Sequence, residues 1–256
     1  MAVDLFLICD TILFIMLEKS KKIKSSDYGI SIEEMRKVGV NFGHRISKCH
    51  PKMKPYVVGV KGSDHINMID LEKTKEHFIK TLDFLSGFIK EGKTIIFVGT
   101  KVPARKLVKE IAKECKMPYV VNRWLGGTLT NFSIMQKRIK YFKELEEKKK
   151  SGELDKYTKK EQLEFDRELE RLEQKFGGIK DLEKLPDALF VIDMKKDELA
   201  VREAKQKGVI VIGLADTEID PSQADYFIPA NDDAISSVSY ILDKIKKVVI
   251  DNKPKK

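Results

Sequence analysis

From about residue 92 onward, short apolar runs alternate with amphipathic stretches. The runs Thr94 to Val98, Tyr119 to Val121, Ala188 to Ile192, Val209 to Leu214 and Tyr226 to Ile228 are rich in Val, Ile and Phe and show no polar alternation. Strands covered by helices on both faces read this way, because neither face has to meet water. The intervals near Pro103 to Cys115, Glu198 to Lys207 and Ala234 to Val249 predict helices, with Pro103 suited to a first turn and Asn231 or Asp232 to an N-cap. Right-handed crossovers then put helices on both faces of a parallel sheet. Upstream, Ser31 to Val38 and Thr74 to Lys90 predict two more helices, and Tyr56 to Met68 an extended or hairpin segment.

The rhythm breaks between Phe132 and Phe176, where the chain becomes long and highly charged. Phe132, Met135, Ile139 and Phe142 step by three and four, as do Phe165, Leu169, Leu172 and Phe176, so two helices carry narrow apolar seams. Ser151-Gly152-Glu153 supplies a turn, Thr158 with Glu161 a capping box, and Gly177-Gly178 a stop. These signals predict an antiparallel hairpin inserted between the second and third strands of the sheet. A bundle formed with another copy of the chain is the competing reading of the same seams. The fold class is therefore α/β: a flavodoxin-like or Rossmann-like parallel sheet of about five strands, helices on both faces, and an inserted coiled-coil hairpin.

Composition adds a preference for polyanions. Lys and Arg number 49 against 40 Asp and Glu, a net charge of +9, and the excess favours RNA or an acidic surface by long-range attraction. Cys9, Cys49 and Cys115 are widely spaced without a CxxC pair, which speaks against disulfides and structural zinc and fits a reducing cytoplasm. The adjacent Cys49-His50, with His44 and His65 nearby in sequence, is poorly placed to share one ion, so no metal is expected. Leu5 to Leu17 is apolar apart from Asp10 and Thr11, too short and too acidic for a membrane span and without the basic region of a secretory signal.

Two kinds of chemistry compete for the strand ends. Gly99-Thr100-Lys101 follows the first strand, with Asp193 and Asp216 after later ones, a layout that could hold a phosphate and magnesium in an enzyme or sensor. Against it, GxxxxGK, GxGxxG and GxSxG are all absent, and the carboxylates suit loop hydrogen bonds. Binding chemistry is better supplied. His44, Arg45, Lys48, Lys52 and Lys54, with Tyr56 beside them, form a basic stretch without acids; Lys101 and Arg105, with Lys106 and Lys109, sit at a helix start; Lys137 and Arg138 sit on the hairpin. The run NRWLGGTLTNF, residues 122–132, holds the single Trp124 beside Arg123, with Gly126 and Gly127 after it. A charged fork and a flat ring suit phosphate and base, and the glycines allow close backbone approach; a buried Trp with Arg123 lying over it is the plainer alternative.

That run closely resembles the signature of the bacterial small-subunit ribosomal protein S2 family, and other segments are similar to family elements in the same order. Val40-Asn41-Phe42-Gly43-His44-Arg45 resembles a GxxFGH element and His50 to Tyr56 an NPKMKPY element with His50 in the Asn place. Ile96 to Lys101, Gly177 to Lys180 and Leu185 to Val191 are also similar. Asp216 to Pro221 is like DTNCDP but departs at Glu218 and Ile219, and Ile228 to Ile235 is like IPGNDDAI with Ala230 for Gly. The resemblance runs from about residue 30 to about 250. It implies a structural, non-catalytic protein of the cytoplasmic ribosome, without cofactor, membrane attachment or small-molecule substrate. Its partners would be small-subunit rRNA and neighbouring ribosomal proteins, among them ribosomal protein S1, which it would help to recruit. The RNA-contacting residues would be His44, Arg45, Lys48, Lys52, Lys54, Lys101, Arg105, Arg123, Trp124, Gly126, Gly127, Lys137 and Arg138.

The expected organisation is an apolar extension over residues 1–16, where Met16 is a candidate initiator because the resemblance begins after it. A basic segment with the first part of the α/β domain follows over 17–130, then the hairpin over 131–178, the second part of the α/β domain over 179–250, and a basic tail over 251–256.

Overall fold

The computed structural model describes residues 28–63 and 65–253; the apolar segment 1–16 and the end of the basic tail lie outside the described residues. After a short helix α1 (Ile32–Lys37), the strands β1 (Phe42–Arg45), β2 (Val57–Lys61) and β3 (Ile66–Ile69) form an antiparallel sheet in the order β1-β3-β2. The hairpin expected over Tyr56 to Met68 is β2 and β3. Strand β1 has no sequence signal, since Gly43 and His44 interrupt any alternation, and it forms by pairing with β3, Phe42 opposite Met68. In β3 only alternate residues are buried, so one face of this small sheet is turned to the body.

Helix α2 (Leu71–Lys90) starts earlier than the expected Thr74, because the Asp70 carboxylate accepts from the amides of Glu72 and Lys73 and caps it. The main sheet then contains β4 (Ile95–Val98), β5 (Tyr119–Val120), β6 (Ala188–Val191), β7 (Ile210–Ala215) and β8 (Tyr226–Pro229) in the parallel order β5-β4-β6-β7-β8. This is the flavodoxin-like order, with its switch point between β4 and β6. Helices α3 (Val102–Glu114), α6 (Glu198–Lys207) and α7 (Ile235–Asn252) match the expected stretches within a few residues. At α7 Asn231 precedes the helix as a turn: its Oδ1 accepts from the amides of Asp233 and Ala234 at 2.8 and 3.2 Å.

Side chains alternating along each strand enter two separate cores. Ile95, Phe97, Phe190, Ile212 and Leu214 pack under α2, α3 and α7, with Phe78, Leu82, Val108 and Ile241. Ile96, Val98, Leu189, Val191 and Val211 pack on the other face with Ala200, Val201 and Ala204 of α6. Helices on both faces are thus observed.

The inserted hairpin is α4 (Phe132–Lys150) and α5 (Lys159–Phe176). Met135, Ile139, Phe142, Leu169, Leu172 and Phe176 are buried between the two helices and belong to the second core, so the arm's seam continues into the body. Thr158 and Glu161 make the reciprocal capping box that starts α5, with Glu161 Oε2 accepting from the Thr158 amide at 2.9 Å. The glycine stop acts differently from expectation. Gly177 has φ −53°, outside the left-handed region, and the helix gives way to a short 3-10 turn, Gly177–Ile179. Gly178 is needed for space: a Cβ there would stand far closer to the Tyr119 carbonyl oxygen than van der Waals contact allows.

Candidate functional site

The loop after β5 is organised by a residue that the sequence does not single out, Glu203 of α6. Its carboxylate is buried, 4% exposed, and accepts from the amides of Gly127, Leu129 and Thr130 at 2.8, 3.0 and 3.1 Å, from Thr130 Oγ1 at 3.1 Å and from Trp124 Nε1 at 3.3 Å. Burial pushes this carboxyl upward, but the donors outweigh it and hold it below the ordinary glutamate range. Trp124 is only 5% exposed and packs in the second core, so its ring face is covered by protein and a base cannot stack on it. Gly127 has φ +91°, the left-handed geometry that lets the loop turn around the carboxylate. What this arrangement presents outward is Arg123, which is exposed and has no ion pair among the described residues, beside the exposed Gly126. Arg105 is drawn to the same place: its Nε donates to the Thr100 carbonyl at 2.9 Å and an Nη to the Asn122 carbonyl at 3.5 Å.

At the switch point the strand ends hold an internal charge cluster. Lys101 Nζ lies 3.4 Å from Asp193, 2.8 Å from Asp232 and 2.5 Å from Asp233. These partners outweigh burial and raise the lysine. Burial, with Asp216 and Asp193 nearby, raises the Asp232 carboxyl to about 7. The Thr100 amide and hydroxyl, which in a phosphate loop would face the ligand, donate to the buried Asp197 at 3.4 and 2.9 Å. A phosphate arriving here would meet carboxylates in place of free donors, so the geometry disfavours the phosphate-ligand enzyme. Asp193 accepts from the Lys196 amide at 2.8 Å, a loop hydrogen bond of the expected kind. Lys101 is consequently turned inward, apart from the exposed Lys106 and Lys109 of its helix.

His44 joins the same cluster from the small sheet. The close approach of β1 to the loop after β7 depends on Gly43, where a Cβ would meet Thr217 Cγ2 at 2.5 Å. The His44 amide donates to Thr217 Oγ1 at 2.8 Å, and the His50 amide to the Thr217 carbonyl at 2.8 Å. The imidazole lies 3.1 Å from Asp216, 3.3 Å from Asp233 and 3.7 Å from Glu218. Asp216 above all, against the effect of burial and helped by Glu218 and Asp233, raises it to about 9. Of the two departures from the family pattern, Ile219 is buried in the second core and Glu218 pairs with Lys195 at 2.7 Å.

The other basic candidates divide by what holds them. Lys52 is paired with Asp220 at 2.8 Å and also donates to Ser222 Oγ at 2.8 Å, so the stretch that lacks acids in sequence acquires one in space. Arg45, Lys48 and Lys54 are exposed and form no ion pair among the described residues, and the same holds for Lys137 and Arg138 at the start of the arm. Near the arm's tip, Lys149 and Lys150 are matched by Asp166 at 2.7 Å and Glu146 at 3.4 Å. No helix among the described residues is long and apolar enough to cross a membrane.

Comparison with known proteins agrees with this architecture. Residues 35–252 match the family model described as ribosomal protein S2. The chain is 44% identical over 224 residues to the small ribosomal subunit protein uS2 of a Nitratiruptor species, covering 88% of this chain and 83% of that one. It is 42% identical over 224 residues, with the same coverage, to the protein of that name from Coprothermobacter proteolyticus. With a family model spanning both sheets and the arm, and relatives this similar over most of their length, the chain belongs to the ribosomal protein S2 family, whose members are structural and not catalytic.

Proposed function

We propose that this chain, a structural constituent of the small ribosomal subunit, is held on folded small-subunit rRNA by exposed cations at two places. One is Arg45, Lys48 and Lys54 on the small sheet and the turns after it; the other is Arg123 with Arg105, Lys137 and Arg138, around the base of the arm. The observation that carries the reading is selective exposure. Lys101 and His44 are turned into carboxylates, yet Arg45, Lys48, Lys54, Arg123, Lys137 and Arg138 stand in solvent without an ion pair among the described residues. Cations left unpaired in a protein with 40 acidic residues are available for phosphates, and release of counterions from RNA would supply much of the affinity. Glu203 and the second core hold the Arg123 loop in one shape before binding, so little ordering remains to oppose association. The arm extends the body toward neighbouring subunit proteins, and recruitment of ribosomal protein S1 belongs to this reading, as does residence on cytoplasmic ribosomes.

The test is sedimentation of small subunits carrying Arg123→Ala, or Arg45→Ala with Lys48→Ala and Lys54→Ala, quantified by mass spectrometry at rising salt. The variants should dissociate at lower salt than the parent. With purified RNA, the slope of log affinity against log salt should fall by about 1 for each phosphate contact removed. Parent-like occupancy across the salt series would reject these contacts. Subunits stripped of this chain should lose S1 in proportion; undiminished S1 would remove that part of the proposal.

A further inference from the structure

We propose that Tyr141, on the outer face of the arm, takes an unstacked nucleobase of the small-subunit rRNA, so that the arm recognises a bulged or looped-out nucleotide and not a charged backbone alone. This rests on the rRNA reading above and adds to it a contact of another kind. Ile134 of α4 is followed at three and four residues by Lys137 and Arg138, and Tyr141 stands three beyond Arg138, so the four share one face of the helix. Met135, Ile139, Phe142 and Leu145 are buried in the arm's seam, which turns that face to solvent. Ile134 is 55% and Tyr141 44% exposed, about 10.5 Å apart along the axis as two helical turns.

The observation that selects Tyr141 is its open ring. Trp124, the aromatic residue beside Arg123, is covered by protein and takes no base. Among the described residues the exposed Phe, Trp and Tyr side chains are Tyr141 and Tyr157. Tyr157, near the arm's tip, already has partners: Phe165 meets its ring edge-on at 5.3 Å and Lys156 Nζ lies 5.5 Å from its centroid. Tyr141 has neither a ring partner nor a cation over it among the described residues, so both of its faces can receive a base. A Tyr side chain has two rotatable torsions, and this one is carried on a helix held by the second core, so little freedom is lost on contact.

Charge identifies the occupant. Between Ile134 and Tyr141 stand Lys137 and Arg138, both exposed and without an ion pair among the described residues, whereas the acids of α4, Glu144, Glu146 and Glu147, all lie beyond Tyr141 toward the tip. The cationic part of the helix thus ends at the aromatic ring. A nucleotide has the matching form, a phosphate for the cations and a flat apolar base for the ring, with Ile134 left to cover a sugar or a second base. A base buried in a regular A-form helix cannot reach a side chain in this way, because its faces are stacked and its deep groove is too narrow, so the ligand is a nucleotide outside the stack. A protein segment fitting the same stripe would need acidic side chains opposite Lys137 and Arg138, and is the competing occupant.

The probe is purified small-subunit rRNA, titrated with the full-length chain over a salt series. Tyr141→Ala should weaken binding by roughly 5- to 150-fold, the span for loss of one stacked base, and leave the slope of log affinity against log salt unchanged. Tyr141→Phe and Tyr141→Trp should restore parent affinity, since each keeps a flat ring. Lys137→Ala with Arg138→Ala should instead lower the slope by about 2. All these positions are exposed, so the far-UV spectrum should not change. Ultraviolet irradiation of native small subunits should leave a nucleotide adduct on the peptide that carries Tyr141, at a nucleotide that chemical probing finds unpaired. Parent-like affinity in Tyr141→Ala beside a lowered slope in the double variant would overturn the base contact and leave the phosphate contacts standing. Parent-like behaviour in both would take down the two readings together. A crosslink from Tyr141 to protein, with no nucleotide adduct, would overturn the base contact in favour of an acidic protein partner.

Discussion

Replacing Glu203 is the sharpest test of how the Arg123 loop is built. The carboxylate is the shared acceptor for the amides of Gly127, Leu129 and Thr130, the Thr130 hydroxyl and the Trp124 indole. A hydrogen bond to a charged group contributes about 1.5–3 kcal/mol, and a buried donor left without a partner costs about 1–3 kcal/mol. These contributions are not additive, and water entering the vacated space would satisfy some donors. Glu203→Ala should therefore lose roughly 4–6 kcal/mol, a large part of the 5–15 kcal/mol, roughly, that a folded domain has in total. Glu203→Gln keeps the shape and one acceptor oxygen but turns an NH2 toward donors, so about half of that loss is expected. Urea unfolding followed by fluorescence reads the loop itself, because Trp124 is the only tryptophan. The midpoint should drop in both variants, and in Glu203→Ala the native emission should already be red-shifted. The folded carboxyl is held below its ordinary value, so its stabilisation is complete above the unfolded value, about 4.3, and is lost as pH falls through the folded one. The gap between parent and Glu203→Gln should be widest at neutral pH and close in acid. An alanine variant with the parent's urea midpoint and emission would refute the argument.

Other expectations follow from single contacts. Gly178→Ala forces a methyl against the Tyr119 carbonyl and should cost about 2–3 kcal/mol by thermal or urea unfolding, whereas Gly87→Ala, where a Cβ meets nothing, should be neutral or slightly stabilising. Lys101→Met removes the cation shared by Asp193, Asp232 and Asp233 and should cost about 3–5 kcal/mol at pH 8. At pH 5 the loss should be smaller, because Asp232, raised to about 7 chiefly by burial, is then neutral and repels less; an equal loss at both pH values would disprove that assignment. Thr158→Ala breaks the capping box at an exposed helix start and should cost about 1 kcal/mol, read as a small fall in unfolding midpoint.

The parallel sheet is legible in the sequence because its strands are local and unambiguous: β4 and β6 are buried along their whole length, and such runs admit few readings. The arm is equally clear from its seam and from Thr158 and Glu161, which act within one helical turn. Legibility fails where a residue's role is set by distant chain. β1 exists through β3. For Trp124 the sequence leaves both a stacking platform and a buried ring open, because its covering residues come from other elements; the ring is buried. Glu203 passes for one more surface acid, although it stands three residues after Ala200 and beside Ala204, on the side of α6 that is buried, and an acid there is a usable signal. His44 reads as one more cation of the basic stretch, because the carboxylates that face it, Asp216, Glu218 and Asp233, lie far downstream.

The attachment of the small sheet to the loop after β7 bears on how the chain acquires its shape as it is made. His44 and Thr217, which bond at 2.8 Å, are 173 residues apart in sequence, and Val40 likewise waits for the amide of Asn231. Chains emerge at about 5–20 residues per second, so the N-terminal strand is outside for roughly 9–35 s before its docking surface has been synthesised. During that interval Arg45, Lys48 and Lys54 sit on an undocked segment. The basic face proposed to meet RNA is therefore completed last, which would couple competence for assembly to arrival of the C-terminal third of the chain.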